Sequence, residues 1–135
     1  ANPTALVMAN STMQAVSVIG MPESRIILGQ CATYLACSPK SNASYEAINK
    51  ALASVKESGN LSVPLNLRNA PTKLMKSLGY AANYKYSHQY SQNFVVQEFM
   101  PEGLENTTFY NPGDNSREQA QKDLLKKHWK DKYNY

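Results

Sequence analysis

Histidine and cysteine, the side chains that most often carry acid–base or metal chemistry, are scarce in this chain. His88 could donate or accept a proton, but the nearest acidic residue along the chain is Glu98, and His128 has no second ligand nearby. Cys31 and Cys37 are six residues apart in one predicted helix, so they point to different faces and cannot bridge each other. Because none of these spacings matches a metal motif, we expect two free thiols, a packed or hydrogen-bonded His88 and no metal site.

The sequence also lacks the loops that cradle phosphate groups. None of its six glycines begins the motif G-x-x-x-x-G-K-[ST], whose backbone N–H groups would hold a nucleotide. Neither G-x-G-x-x-G nor H-E-x-x-H occurs, and no pair of catalytic groups is visible. We therefore expect no bound cofactor and no catalysis by this chain, and a small enzyme is the weakest of three hypotheses.

Tyrosines and lysines are interleaved between residues 73 and 90, where four of the nine tyrosines are found. Aromatic rings can stack on bases while lysine amines contact phosphates. The alternative is a core layer in which the rings pack and each hydroxyl reaches water or backbone. The residues that would contact DNA are Lys73, Lys76, Tyr84, Lys85 and Tyr86.

Apolar residues at helical spacing predict three helices in the first sixty residues, over 4–19, 22–38 and 42–58. Prolines and glycines set their limits, and Ser41 or Asn42 can cap the third helix. Because the connections are short, we expect the helices to pack antiparallel as hairpins. The apolar stripes of the three helices are Leu6, Ala9, Met13 and Val16; then Ile27, Cys31, Tyr34 and Leu35; then Tyr45, Ile48, Leu52 and Val55, of which Leu52 is a presumed core residue.

The remaining chain is less regular. We predict a short helix from Thr72 to Leu78, capped by Asn69 with Pro71 in its first turn, and stopped by Gly79. The segments 94–96 and 107–110 are compatible with the two strands of one small β-hairpin. Ser116 and Gln119 form a capping-box pair for a final helix to about residue 130, which we expect to be peripheral. This basic helix could bind DNA or a partner, but a solvated face is the default for such a run of charges.

Length and charge fit a single domain with no membrane partner. At 135 residues the chain is one domain's worth, and no apolar run is long enough to span a bilayer. The net charge of +4 is compatible with nucleic acid without being diagnostic of it. The first three helices carry broader apolar faces than one core needs, so we expect copies of the chain to bury the surplus against one another.

Three sequence motifs occur in order: IGMPESRI at Ile19–Ile26, SPKSN followed by Tyr45 at Ser38–Asn42, and PLNLRNAPTKLMKSLGY at Pro64–Tyr80. With them, the chain from about Ala5 to Pro112 resembles the C-terminal region of the replication-associated recombination protein A (RarA/MgsA) family of AAA+ ATPases. The motif positions with expected structural roles are Gly20, Pro22, Pro39, Lys40, Ser41, Asn42, Pro64, Leu65, Leu67, Arg68, Pro71, Thr72, Lys73, Leu74, Met75, Gly79 and Tyr80.

The resemblance implies an all-α helical bundle similar to the collar-like oligomerisation domain that follows the ATPase module. Residues 1–60 would form helical hairpins, 61–114 a short helix and an irregular arm, and 115–135 a terminal helix. The chain opens with Ala1 rather than Met, and the AAA+ module, with its ATP and Mg²⁺, is expected upstream. This family would act in DNA replication, recombination and repair at stalled forks.

The resemblance also implies partners and a location. The chain would pair with itself, as a homotetramer, while the full-length protein would bind DNA and single-strand-binding protein in the cytoplasm, at the nucleoid. The alternative function is a DNA-binding module that uses the Tyr/Lys stretch 73–90.

Overall fold

The computed structural model describes residues 1–135, and all of its regular structure is helical. The five α-helices are α1 (Pro3–Ile19), α2 (Ser24–Cys37), α3 (Ala43–Ser58), α4 (Lys73–Ser77) and α5 (Ser116–Trp129). Short 3-10 turns occur at Leu65–Leu67, Ser87–Gln89, Ser91–Asn93 and Lys130–Lys132. The predicted all-α class is confirmed, and the segments 94–96 and 107–110 form no strand.

The helices α1 and α2 pack against each other as an antiparallel pair. Gly20 ends α1: its N–H still bonds the Val16 carbonyl, and its φ of 75°, which glycine adopts at no steric cost, then turns the chain out of the helix. At the far end, the Asn2 side chain donates a 2.8 Å hydrogen bond to the Tyr34 hydroxyl. The start of α1 therefore lies beside the end of α2, as the short connection predicts.

The inward side of α1 differs from the predicted stripe. Leu6 and Met13 are 77% and 72% exposed, whereas Thr12 is buried and Ala5 and Met8 are half-buried. Helical positions 5, 8 and 12 face α2 because small and flexible side chains allow close approach of the two helices. Leu6 and Met13 therefore lie on the exposed side of α1.

The helix α3 turns its small residues, not its apolar stripe, toward the rest of the chain. Ala43 is buried and Ala47 and Ala51 are half-buried. Neither α1 nor α2 packs closely against α3, so the predicted set of three antiparallel helices reduces to one pair. The apolar stripe of α3 is between 55% and 67% exposed, at Tyr45, Ile48, Leu52 and Val55, so the expectation that Leu52 is a core residue was wrong.

The arm between α3 and α5 is held by turns and by the short α4. Thr72 caps α4, because its Oγ1 accepts a 3.2 Å hydrogen bond from the Met75 N–H, so the predicted Asn69 cap was wrong and Pro71 lies before the helix. The predicted stop at Gly79 fits its φ of 82°. The Ala81 N–H then bonds the Leu65 carbonyl at 2.9 Å, which ties the loop after α4 to the Pro64 segment.

The C-terminal helix α5 docks on the arm through aromatic rings. Trp129 packs edge-on against Phe94 and Phe99, with ring centroids 4.9 Å and 6.3 Å apart. Lys132 then forms a 2.9 Å salt bridge with Glu98. The expectation of a peripheral terminal helix was therefore wrong for its last turn, although Leu124 is 53% exposed.

Candidate interaction surfaces

The outward side of α3 is a narrow apolar stripe formed by Tyr45, Ile48, Leu52 and Val55, which we call the α3 stripe. Its members are spaced three, four and three residues apart. At 3.6 residues per turn they fall within roughly 80° of arc, which is the a/d spacing of a helix that pairs with another helix. No element of this chain packs closely on it.

A second exposed apolar surface lies on α1, opposite α2. Its members are Leu6, Val7, Met13 and Val18, between 62% and 87% exposed, and we call them the α1 face. Asn10 and Gln14 lie between them and are exposed too. The α1 face is therefore broader and more mixed in polarity than the α3 stripe.

The accessible surface of the whole chain is much larger than that of a compact monomer. It amounts to 10059 Å², and only seven of 135 residues are buried. A compact monomer of 15.0 kDa exposes about 7,000 Å². The excess, about 3,000 Å², exceeds what one partner contributes to a standard interface, roughly 800 Å².

The Ser-Pro-Lys-Ser-Asn motif before α3 meets the start of α5 at a buried carboxylate. Glu118 is 3% exposed, and its Oε2 accepts hydrogen bonds from the Gly113 N–H at 2.9 Å and the Asn115 side chain at 2.8 Å. The nearby Ser41 hydroxyl, together with these donors, holds the pKa of Glu118 below its usual value. Asn115 in turn accepts from the Glu118 N–H at 3.1 Å.

This arrangement corrects the predicted cap of α5 and decides between the two predicted caps of α3. The cap of α5 is the pair Asn115 and Glu118, one residue before the predicted Ser116 and Gln119 pair. At α3, Asn42 occupies the capping position but makes no side-chain hydrogen bond to the helix. Ser41 supplies it instead, because its Oγ accepts from the Ala43 N–H at 3.1 Å.

Arg68 and Tyr80, from opposite ends of the third motif, form a clasp. The Arg68 guanidinium donates to the Val63 carbonyl at 2.6 Å and to the Tyr80 hydroxyl at 3.2 Å, and it lies 5.1 Å from the Tyr80 ring centroid. Arg68 also lines a cleft of about 440 Å³ with Glu98 and two further glutamates. The clasp explains why the extended Pro64 segment and the residues after α4 stay together.

The structure does not assemble the Tyr/Lys stretch 73–90 into one surface. Tyr80 is engaged by Arg68, and the Lys85 amine bonds the Val96 carbonyl at 3.4 Å. Tyr84 lines a cleft that contains no lysine. Lys73, Lys76 and Tyr86 are exposed but line none of the main clefts.

The histidines and cysteines are also dispersed. The His88 ring packs 5.1 Å from Tyr86, Cys31 is buried and Cys37 exposed, and both thiols are free. No three His, Cys, Asp or Glu residues lie close enough to hold a metal ion. None of the helices combines the length and apolarity needed to cross a membrane.

A basic cleft at the end of α5 was not predicted from the sequence. It measures about 460 Å³, and its lining includes Tyr90, Phe94, Lys127, His128 and Lys130; we call it the α5 cleft. Its two halves are far apart in sequence and meet only because Trp129 docks on Phe94. No local pattern could have identified it.

The fold and its exposed surfaces define the class of protein, which is an all-helical domain that exposes apolar helix faces. Residues 1–129 match the family described as the MgsA AAA+ ATPase C terminal. The chain therefore belongs to this family, which confirms the resemblance indicated by the three motifs.

Its relatives include bacterial and eukaryotic proteins. Replication-associated recombination protein A of Coxiella burnetii is 43% identical over 83% of this chain and 26% of the relative. The protein of that name from Escherichia coli K12 is 39% identical over 83% of this chain and 25% of the relative. ATPase WRNIP1 of Dictyostelium discoideum is 38% identical over 90% of this chain and 14% of the relative. The chain thus spans about a quarter or less of these relatives.

Proposed function

We propose that this chain is the oligomerisation domain of a AAA+ ATPase that acts in replication-associated recombination, and that it forms a homotetramer with twofold axes. The observation that carries the proposal is the α3 stripe, which is more than half exposed along its whole length. Soluble proteins rarely leave such an ordered apolar stripe uncovered. A second copy of the same stripe is its natural partner.

The geometry of the α3 stripe favours self-pairing across a twofold axis. In an antiparallel pair centred between Ile48 and Leu52, Ile48 of each copy meets Leu52 of the other, and Tyr45 meets Val55. Large and smaller apolar residues would then alternate across the contact. The same stripe serves both copies, as a twofold interface requires.

The α1 face supports a second contact and hence the tetramer. It lies on a different helix from the α3 stripe, and two distinct self-complementary surfaces generate a dimer of dimers. The excess accessible area, about 3,000 Å² by comparison with a compact monomer, is enough for two contacts of standard size. The resemblance to the family also implies four subunits.

In the full-length protein, the tetramer would hold ATPase modules side by side. ATP and Mg²⁺ would bind in the upstream module, and DNA and single-strand-binding protein would be partners of the whole molecule at stalled forks. A protein with this role would act in the cytoplasm, at the nucleoid. The domain itself would contribute assembly and no chemical step.

Sedimentation equilibrium tests the proposal, in low salt and again near molar salt. We expect a tetramer mass under both conditions, because apolar contacts are not screened by salt. A dimer mass would keep the scaffold role and refute the count. A monomer mass under both conditions would overturn the oligomerisation function.

A further inference from the structure

The α5 cleft carries more basic side chains than the other clefts, including the one that Arg68 lines with Tyr84. Lys127, Lys130 and His128 line it and no carboxylate does. The cleft beside Arg68 contains Glu98, and the cleft before α3 contains Glu118. The α5 cleft is therefore suited to an anionic ligand, and its position outside α1 and α3 makes it independent of the proposed assembly.

The cleft also holds an ordered aromatic floor. The Phe94 ring packs against His128 at 4.3 Å and meets the edge of Trp129 at 4.9 Å with an interplanar angle of 87°. These contacts fix the Phe94 ring from two directions. Tyr90, at 42% exposure, has no ring partner and is free to stack on a ligand.

Further lysines continue the positive charge along α5. Lys122 and Lys126 lie four residues apart within α5, hence roughly 6 Å apart along the helix axis, and Lys130 follows directly after the helix ends at Trp129. Lys126 is exposed and Lys122 is half-buried. A flexible polyanion leaving the cleft would meet this row, whereas a single small anion would use only the cleft itself.

We propose that the α5 cleft binds a segment of single-stranded nucleic acid, with Lys127 and Lys130 on phosphates and the Tyr90 ring stacked on a base. Aromatic stacking requires an unpaired base, because the bases of a duplex are stacked on one another. Lysines alone would fit any polyanion. The exposed ring among cations is what selects an unpaired strand.

Fluorescence anisotropy with a labelled single-stranded oligothymidylate tests the proposal on the complete 135-residue chain, titrated at several salt concentrations. Each phosphate contact contributes about 0.7 to the slope of log affinity against log salt for single strands. The double variant Lys127→Gln/Lys130→Gln should therefore bind more weakly and lower that slope by about 1.4. Glutamine is polar, uncharged and only one heavy atom shorter than lysine along the side chain, so the change is mainly one of charge.

The Tyr90 variants test stacking separately from charge. Tyr90→Ala should weaken binding roughly 5- to 150-fold without changing the salt slope, since a stacked base is worth about 1–3 kcal/mol. Tyr90→Phe keeps the ring and should bind almost like the parent chain. If Tyr90→Phe lost as much affinity as Tyr90→Ala, the stacking role would be overturned.

The matched control is Lys73→Gln/Lys76→Gln on α4, which removes the same charge from the Tyr/Lys stretch 73–90. It should retain the parent affinity. A loss in this control but not in the α5 cleft variant would move the site to the stretch and overturn the proposal. Equal affinity for a duplex of the same length would also overturn the proposal, and so would the absence of saturable binding by the parent chain. Circular dichroism and sedimentation of every variant separate these outcomes from misfolding or altered assembly.

Discussion

Truncating Leu52 should weaken assembly while leaving the fold of each subunit almost unchanged. Leu52 is 61% exposed in the single chain, so Leu52→Ala opens no internal cavity. Fully burying a leucine is worth about 1.5–3 kcal/mol, and the exposed share of Leu52 leaves about 1–2 kcal/mol to be gained from a partner. A twofold contact contains the residue twice, so the interface should lose about 2–4 kcal/mol, or roughly 30- to 700-fold in dissociation constant.

Sedimentation equilibrium over a range of protein concentrations measures this constant. Leu124→Ala is the matched control, because Leu124 is similarly exposed at 53% but lies on α5, outside the α3 stripe. We expect Leu52→Ala to shift the mass toward the dimer and Leu124→Ala to leave it unchanged. The reasoning from the α3 stripe fails if the two variants sediment alike and Leu52→Ala also lowers the free energy of unfolding by the 2–5 kcal/mol typical of core leucines. Leu52 would then belong to an internal core.

Three further predictions follow from other parts of the fold. Because the folded-state pKa of Glu118 is below its ordinary value of 4.5, its stabilising contribution is complete above that pH and is lost as the pH falls through the folded pKa. Glu118→Gln should therefore reduce the loss of unfolding free energy at acid pH, as measured by urea melts at several pH values. A pH dependence equal to that of the parent chain would contradict the assignment. Trp129→Ala should cost about 3 kcal/mol of unfolding free energy through lost packing on Phe94 and Phe99, and a loss no larger than that of Leu124→Ala would show that α5 is not docked. Calorimetry with ATP and magnesium should give no heat above dilution, since no phosphate-binding loop is present; micromolar binding with turnover would refute this.

The ends of the helices could be predicted because glycine marks them. Gly20, Gly59 and Gly79 all have positive φ, at 75°, 69° and 82°, a conformation that other residues adopt at a cost. Each was predicted as a helix stop from its position after an apolar pattern. Caps were harder, because several short polar side chains compete at one site, and Asn115 and Thr72 occupy positions that were assigned to Ser116 and Asn69.

The direction in which an apolar stripe points could not be predicted in the same way. The sequence pattern of α3 shows that Leu52 and its neighbours share one side, and a stripe of this kind is equally suited to a core and to a contact between copies. The opposite side of α3 carries Ala43, Ala47 and Ala51, of which the first is buried and the other two are half-buried. Small side chains add little to a pattern based on hydrophobicity, so the sequence does not show which of the two sides is covered within the chain.

The α5 cleft illustrates a different limit, since its chemistry depends on contacts between distant segments. Phe94 and His128 lie 4.3 Å apart in ring centroid distance, yet neither residue stands in a pattern that indicates a site. Docking of Trp129 on Phe94 brings Lys127 and Lys130 beside Tyr90. If assembly uses the α3 stripe and the α1 face, the α5 cleft remains accessible in each copy, because α5 and the arm belong to neither surface. Four copies would then present four such clefts, and the binding of one long strand by several of them would raise its overall affinity above that of a single cleft.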